Sequence, residues 1–260
     1  MIRIHKPSKT SEKKGSLLFI HGVCHGAWYW DEYYLDLFAE NGFDAYALDL
    51  TRHDRPGRQK GMNQLGLKDY LKDIQKAMDT IDDEPILVGH SMGGLLVQKF
   101  LEHQTVRAAV LLASVPPTGT WRSANSMLLK HPSLIPYLLK GDVYGAFHDK
   151  ARLIQYSPTL EDELLAKYQS KMTDESFKAF LQLLLPTVRK VHHEKIPMLI
   201  VAAENDAVVP VNALRKAASW YGAEFIIAPV IAHNVVLDKG REKVAQIVLD
   251  FVTSLQRAAN

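Results

Sequence analysis

The sequence predicts an α/β fold, a mostly parallel central sheet with helices on both faces. Two observations carry that expectation. Six short runs rich in aliphatic and β-branched residues recur along the chain, each apolar on both parities, as in a strand buried on both faces. Segments of helical period lie between them, and short strand–helix connections imply parallel strands.

The predicted strands are Leu17–Ile20, Phe43–Leu48, Ile86–Gly89, Ala108–Ala113, Met198–Ala202 and Phe225–Ala228, with residues 2–5 as an N-terminal addition. The predicted helices are Trp28–Asn41, Leu67–Ile81, Met92–Gln104, Val211–Tyr221 and Arg241–Leu255. In the second of these, Leu67, Leu71, Ile74 and Met78 fall near one face. The alternation fails once, between Ser114 and Ile196. That stretch holds no convincing strand but has helical patterns at Ser123–Lys130, Ser133–Leu139, Thr159–Lys171 and Asp174–Leu185. A structureless loop of such length is improbable in a compact domain. The division expected is a core of residues 1–114 and 196–260, with residues 115–195 a helical cap inserted between two strands.

The 260 residues suffice for one large domain with a recessed pocket. A formal charge of +2, from 31 basic and 29 acidic side chains, is too balanced to suggest nucleic acid or an anionic membrane. Cys24 is the sole cysteine, so no internal disulfide forms. The N-terminus runs into the polar stretch Ser8 to Lys14 and lacks the apolar centre of a signal peptide. No apolar run has the length of a membrane span, so a cytoplasmic location is expected. Nothing in the sequence addresses oligomeric state.

The strongest local signal is Gly89-His90-Ser91-Met92-Gly93-Gly94, between the apolar run Pro85–Val88 and the helical Leu95–Phe100. A bare Gly-x-Ser-x-Gly arises by chance in roughly one chain in ten of this length, so the strand-before, helix-after context carries the reading. Such a turn holds the serine in a strained conformation with its hydroxyl exposed, at a helix N-terminus that favours developing negative charge. Serine needs a base. Among 11 histidines, His233 lies just past the last strand, in a loop that this topology opens on the same edge as Ser91. Asp206 follows the preceding strand and is the expected orienting acid, ahead of Glu204, still close to its strand, and Asp238, at the start of the next helix. The chain order Ser, Asp, His is that of a nucleophile elbow on a parallel sheet. Two backbone N–H groups should bind an oxyanion, those of Met92, directly after the serine, and Val23, in the loop after the first strong strand.

Other candidates carry blander expectations. His21 and His25 are four apart, but the surrounding glycines indicate a loop and no third ligand is evident, so no metal is expected. His192 and His193 read as solvated, and Cys24 as a packing residue. Trp28, Tyr29 and Trp30 read as packing for the first helix, with one of them available to line a pocket.

Taken together, residues 21–30, the 89–94 motif, Asp206 and His233 resemble the α/β-hydrolase superfamily, most of all its plant methylesterase and hydroxynitrile lyase branch. The resemblance spans the chain in order. It implies an eight-stranded or slightly reduced sheet, a helical cap, no cofactor and an acyl-enzyme route on a small-molecule ester. The lyases carry threonine where Gly22 stands and lysine where Asn234 stands, so the likeness points to ester hydrolysis and away from cyanogenic lyase chemistry. Family members with an aspartate nucleophile are excluded by Ser91. The expected function is a serine hydrolase cleaving a carboxylic ester of a small to medium apolar substrate. Thioester or C–C bond hydrolysis by the same triad, and a ligand receptor with little turnover, are the rival readings.

Overall fold

The computed structural model describes residues 2–189 and 196–257. Its strands are β1 (Ile2–Lys6), β2 (Ser16–Ile20), β3 (Asp44–Leu48), β4 (Ile86–His90), β5 (Ala109–Leu112), β6 (Met198–Ala203) and β7 (Glu224–Ala228). Among the described residues they form one seven-stranded sheet in the order β1-β3-β2-β4-β5-β6-β7. Only β1 is antiparallel, pairing with β3 at the edge; every other pair is parallel. The chain steps from β2 outward to β3 and then back across to β4. The sheet therefore reverses its winding between β2 and β4, where an open α/β sheet leaves a crevice at the carboxyl ends of its strands.

Alternate residues of the central strands feed two cores. Leu18, Ile20, Leu87, Ile200 and Ala202 pack on one face with Ile74, Leu95 and Leu214. Leu17, Phe19, Val88, Leu199 and Val201 pack on the other with Trp30, Phe38 and Val248. A fully buried leucine or phenylalanine contributes about 1.5–3 kcal/mol, so both-face burial explains why these runs are apolar at every position. The edge strand β7 departs from that pattern. Its residues 224–227 are exposed or half-buried, because no strand in the described residues lies beyond it.

The core helices are α1 (Trp28–Asp31), α2 (Tyr34–Glu40), α3 (Leu67–Met78), α4 (Met92–Phe100), α11 (Val211–Tyr221) and α12 (Arg241–Arg257). The single helix expected over Trp28–Asn41 is thus two. The chain breaks at Glu32–Tyr33, which lets Trp30 and Phe38 both meet the Phe19 ring, at centroid distances of 5.0 and 5.4 Å.

Between β5 and β6 lie α5 (Trp121–Lys130), α6 (Ile135–Lys140), α7 (Val143–Asp149), α8 (Ala151–Ile154), α9 (Asp162–Lys171) and α10 (Phe177–Leu183). Helices α7 and α8 fall outside the predicted patterns. Asp142 starts α7 by accepting from Gly145 N–H at 2.8 Å, and a two-pronged Arg58 contact holds its carboxylate. The insert reaches the loops at the carboxyl ends of the strands. Thr173 N–H donates to the Cys24 carbonyl (3.0 Å), and Asn234 N–H to the Gln155 carbonyl (2.8 Å). No helix among the described residues is long and apolar enough to cross a membrane.

Candidate active site

Ser91 sits between β4 and α4 with φ 52° and ψ −115°. A left-handed conformation at a non-glycine residue costs on the order of 1–3 kcal/mol, and surrounding structure has to enforce it. Here Ser91 N–H donates to the Leu112 carbonyl (3.0 Å), while its own carbonyl accepts from Val115 (3.1 Å) and Leu95 (3.2 Å). The motif glycines make the turn possible. A Cβ on Gly93 would stand 2.2 Å from the Ile20 carbonyl oxygen, and one on Gly89 2.5 Å from that of Gly93. Strand β2, the elbow and α4 thus touch through backbone alone.

The three side chains expected to act together do meet. Ser91 Oγ lies 2.9 Å from His233 Nε2, and His233 Nδ1 2.8 Å from Asp206 Oδ2. The other Asp206 oxygen accepts from Val208 N–H (2.7 Å) and Val209 N–H (2.8 Å), which fixes the carboxylate. A carboxylate accepts only, so Nδ1 carries the ring proton and Nε2 presents its lone pair to the serine. Ser91 and His233 are buried, and the Asp206 carboxylate is shielded from solvent although its residue is only half-buried. Of the weaker acids, Glu204 instead accepts from Val230 N–H (2.8 Å). Asp238 lies before α12, where it ties Ser157 of the insert to Ala232 N–H.

The loop after β2 lies against the elbow. A Cβ on Gly22 would fall 3.1 Å from Ser91 Cβ and 2.9 Å from His90 Nδ1, so a threonine at this position would force its neighbours apart. Val23 follows, buried beside it. Met92 opens α4, and the first N–H groups of a helix have no partner within it.

Four further histidines are buried here. His21 accepts from Leu50 N–H at Nε2 (3.2 Å), so its Nδ1–H faces the Gly22 carbonyl (2.9 Å). Burial holds His21 well below the ordinary imidazole range, with His53 adding to the effect. Burial likewise lowers His25 to about 4 despite its bond to the Val23 carbonyl. His53 differs. Burial pulls it down, but the buried Glu175 carboxylate 3.3 Å away outweighs this and raises it. His90, the motif residue before the serine, is also depressed by burial. The described residues contain no cluster of three metal-binding side chains. Cys24 is fully buried with φ 61°, and burial pushes its thiol well up, as suits a packing residue. His192 and His193 lie outside the described residues.

Sequence reasoning missed the polar network behind the triad. Tyr29, read as packing, points its hydroxyl at His90 Nδ1 (3.0 Å) and Asn234 Oδ1 (2.8 Å). His90 Nε2 lies 3.0 Å from the His233 carbonyl oxygen. The one signal available was a histidine inside an otherwise apolar elbow. Trp30 is the packing residue of the three, while half-buried Trp28 stacks on Tyr168.

The sequence pattern of the alpha/beta hydrolase family matches residues 17–247. The chain belongs to that family. Among its relatives is norfluorocurarine synthase 2 of Strychnos sp, 36% identical over 119 residues, or 44% of this chain and 42% of that protein. Methyl jasmonate esterase 1 of Vitis vinifera is 30% identical over 112 residues, 41% of each chain. The matched segment thus spans about two fifths of each relative's length. A solved carboxylesterase structure from Nitrososphaera gargenis superposes over 98% of this chain and 95% of its own with a TM-score of 0.74. At 16% identity that likeness is one of fold. The protein is an alpha/beta hydrolase with esterase-type relatives.

An apolar cavity of about 210 Å³ opens within the insert, lined by Leu128, Leu134, Phe147, Ile154, Phe180 and, from the core, Val208. Of the residues lining it, Val208 donates its N–H to Asp206 Oδ1 (2.7 Å), which ties one wall of the cavity to the loop bearing that aspartate. A larger groove of about 670 Å³ lies beside Trp121, Lys216 and Trp220; Ser91, Asp206 and His233 line neither space.

Proposed function

We propose that this protein is a serine esterase that cleaves a carboxylic ester of a small to medium apolar substrate through an acyl-enzyme. The observation that carries the reading is the unbroken chain from Ser91 Oγ through His233 to Asp206, at 2.9 and 2.8 Å. Ser91 Oγ attacks the acyl carbon as His233 Nε2 takes its proton. Asp206 holds the imidazole in the tautomer that can receive it and stabilises the imidazolium. Val23 and Met92 N–H groups bind the tetrahedral oxygen, and losing one such donor typically costs about 3 kcal/mol of transition-state stabilisation. His233 returns the proton to the leaving alkoxide, then activates a water that attacks the acyl carbon and releases the acid.

Residues 115–195 serve as a cap. The apolar cavity formed by their helices supports an apolar acyl or alcohol group. A relative named for a methyl jasmonate esterase supports a small-molecule ester as substrate. The test is turnover of a chromogenic ester series, from acetate to long acyl, by the wild type and Ser91→Ala. A clear chain-length optimum is expected, with activity falling by about 10⁴-fold or more in Ser91→Ala. A wild type inactive across the series, or an equally active Ser91→Ala, would sink the esterase reading.

A further inference from the structure

The nucleophile and its base come from positions 142 residues apart, and the loop bearing His233 has no regular secondary structure. Something must hold that loop in register with the elbow. The buried ring of His90 lies between them. Its Nε2 is 3.0 Å from the His233 carbonyl oxygen, which also accepts from Val235 N–H at 2.9 Å. Its Nδ1 is 3.0 Å from the Tyr29 hydroxyl.

The protonation pattern follows from the partners. A carbonyl oxygen only accepts, so the His90 proton must be on Nε2. In the neutral ring Nδ1 then offers a lone pair, and Tyr29 is the donor that meets it. The Tyr29 proton is shared with Asn234 Oδ1, 2.8 Å away, which keeps a bond from Leu237 N–H (3.2 Å) when that proton turns to His90. The other tautomer would set two lone pairs against each other at the His233 carbonyl. The ring has one competent orientation, and it is wedged further by Gly22, whose backbone passes it with no room for a Cβ.

We propose that His90 is a positioning residue for the reaction proposed above. Its Nε2–H clamps the His233 carbonyl, and Tyr29 locks its tautomer. The residue directly before the nucleophile thereby sets the distance between nucleophile and base. Because the clamp acts on His233 and touches no substrate, its loss lowers kcat and leaves KM unchanged.

The experiment uses the full chain and compares wild type, His90→Leu, His90→Gln and Tyr29→Phe. Three quantities are read: kcat and KM on the best chromogenic ester, the rate at which a fluorophosphonate labels Ser91, and the thermal melting curve. Misplacement of a reacting group by about 1 Å costs roughly 10²-fold. His90→Leu should therefore lose about that factor in kcat and in labelling rate, with KM within about twofold. The Gln side-chain amide can still donate to the His233 carbonyl, so His90→Gln should recover to within about tenfold of wild type. Tyr29→Phe, which removes one neutral hydrogen bond, should slow labelling about fivefold. A folded His90→Leu with wild-type kcat and labelling, or a Gln variant no better than the Leu variant, would overturn the proposal. If His90→Leu does not fold, Tyr29→Phe decides, and a wild-type labelling rate there refutes the clamp. Labelling makes no assumption about substrate. A wild type that is labelled but hydrolyses no ester would overturn the esterase reading while the variants still judged His90.

Discussion

The carboxyl edge of the sheet and the helical insert hydrogen-bonded to its loops are built by opposite means. At the edge, backbone meets backbone. Gly89, Gly93 and Gly22 lie where a single added carbon would collide with a neighbouring main chain or ring, and Ser91 is held at a positive φ by hydrogen bonds to two adjoining segments. In the insert, side chain meets side chain. Its helices run four to ten residues, α5 and α6 bury none of their residues, and Leu129 and Leu139 remain largely exposed. Between its helices lies an apolar cavity of about 210 Å³. The lesson is a division of tolerance. Beside Ser91 an added carbon has no room, whereas the insert leaves an apolar space open.

Three measurements would sharpen or break that contrast. The largest effect is expected from Gly93→Ala, since its Cβ would stand 2.2 Å from the Ile20 carbonyl oxygen. Backbone cannot yield as a flexible side chain does, so urea unfolding should show a loss of about 4 kcal/mol or more. A loss below about 1 kcal/mol would mean that the edge is softer than its packing implies.

Next comes acid sensitivity. His25, at about 4 when folded against an ordinary 6.5, takes up its proton later than in the unfolded chain. Stability is therefore intact above pH 6.5 and declines as pH falls toward 4, by about 3 kcal/mol from this residue. His21 and His90 act in the same direction. His53, raised by Glu175, acts oppositely, its stabilisation being lost as pH rises past its folded value. Melting temperatures between pH 7.5 and 5 should fall with acid, and His25→Gln should flatten the profile. An unchanged profile would show that His25 does not stay neutral in the folded protein.

The smallest effect belongs to the insert. Phe180 is half-buried and lines an existing cavity, so Phe180→Ala should cost only about 1–2 kcal/mol. The chain-length optimum for ester turnover should move to longer acyl groups. A stability loss matching that of Gly93→Ala would erase the distinction between the two regions.

The same division explains what was legible in the sequence. Central strands buried on both faces must be apolar throughout, and β2, β4, β5 and β6 were found to within a residue or two. The elbow was legible because its glycines answer a steric demand that no other residue meets. Asp206 and His233 followed from strand order, which delivers the ends of successive parallel strands to one edge. Helix α7, held by the Asp142 cap and the Arg58 contact on it, and the four-residue α8, which has no side-chain cap, are too short to leave a periodic trace. The break at Glu32–Tyr33 was hidden too, since it answers to the Phe19 ring on another element.

The sequence by itself therefore determined the α/β architecture and the meeting of Ser91 with His233 and Asp206, because each rests on a local pattern or on chain order. Tertiary structure alone decided that Tyr29 and His90 form a polar bridge to the His233 loop, that five of the described histidines lie buried, and that the insert holds an apolar cavity. Those features depend on which side chains from distant segments meet, and a hydrogen bond between them leaves no spacing in the chain to read.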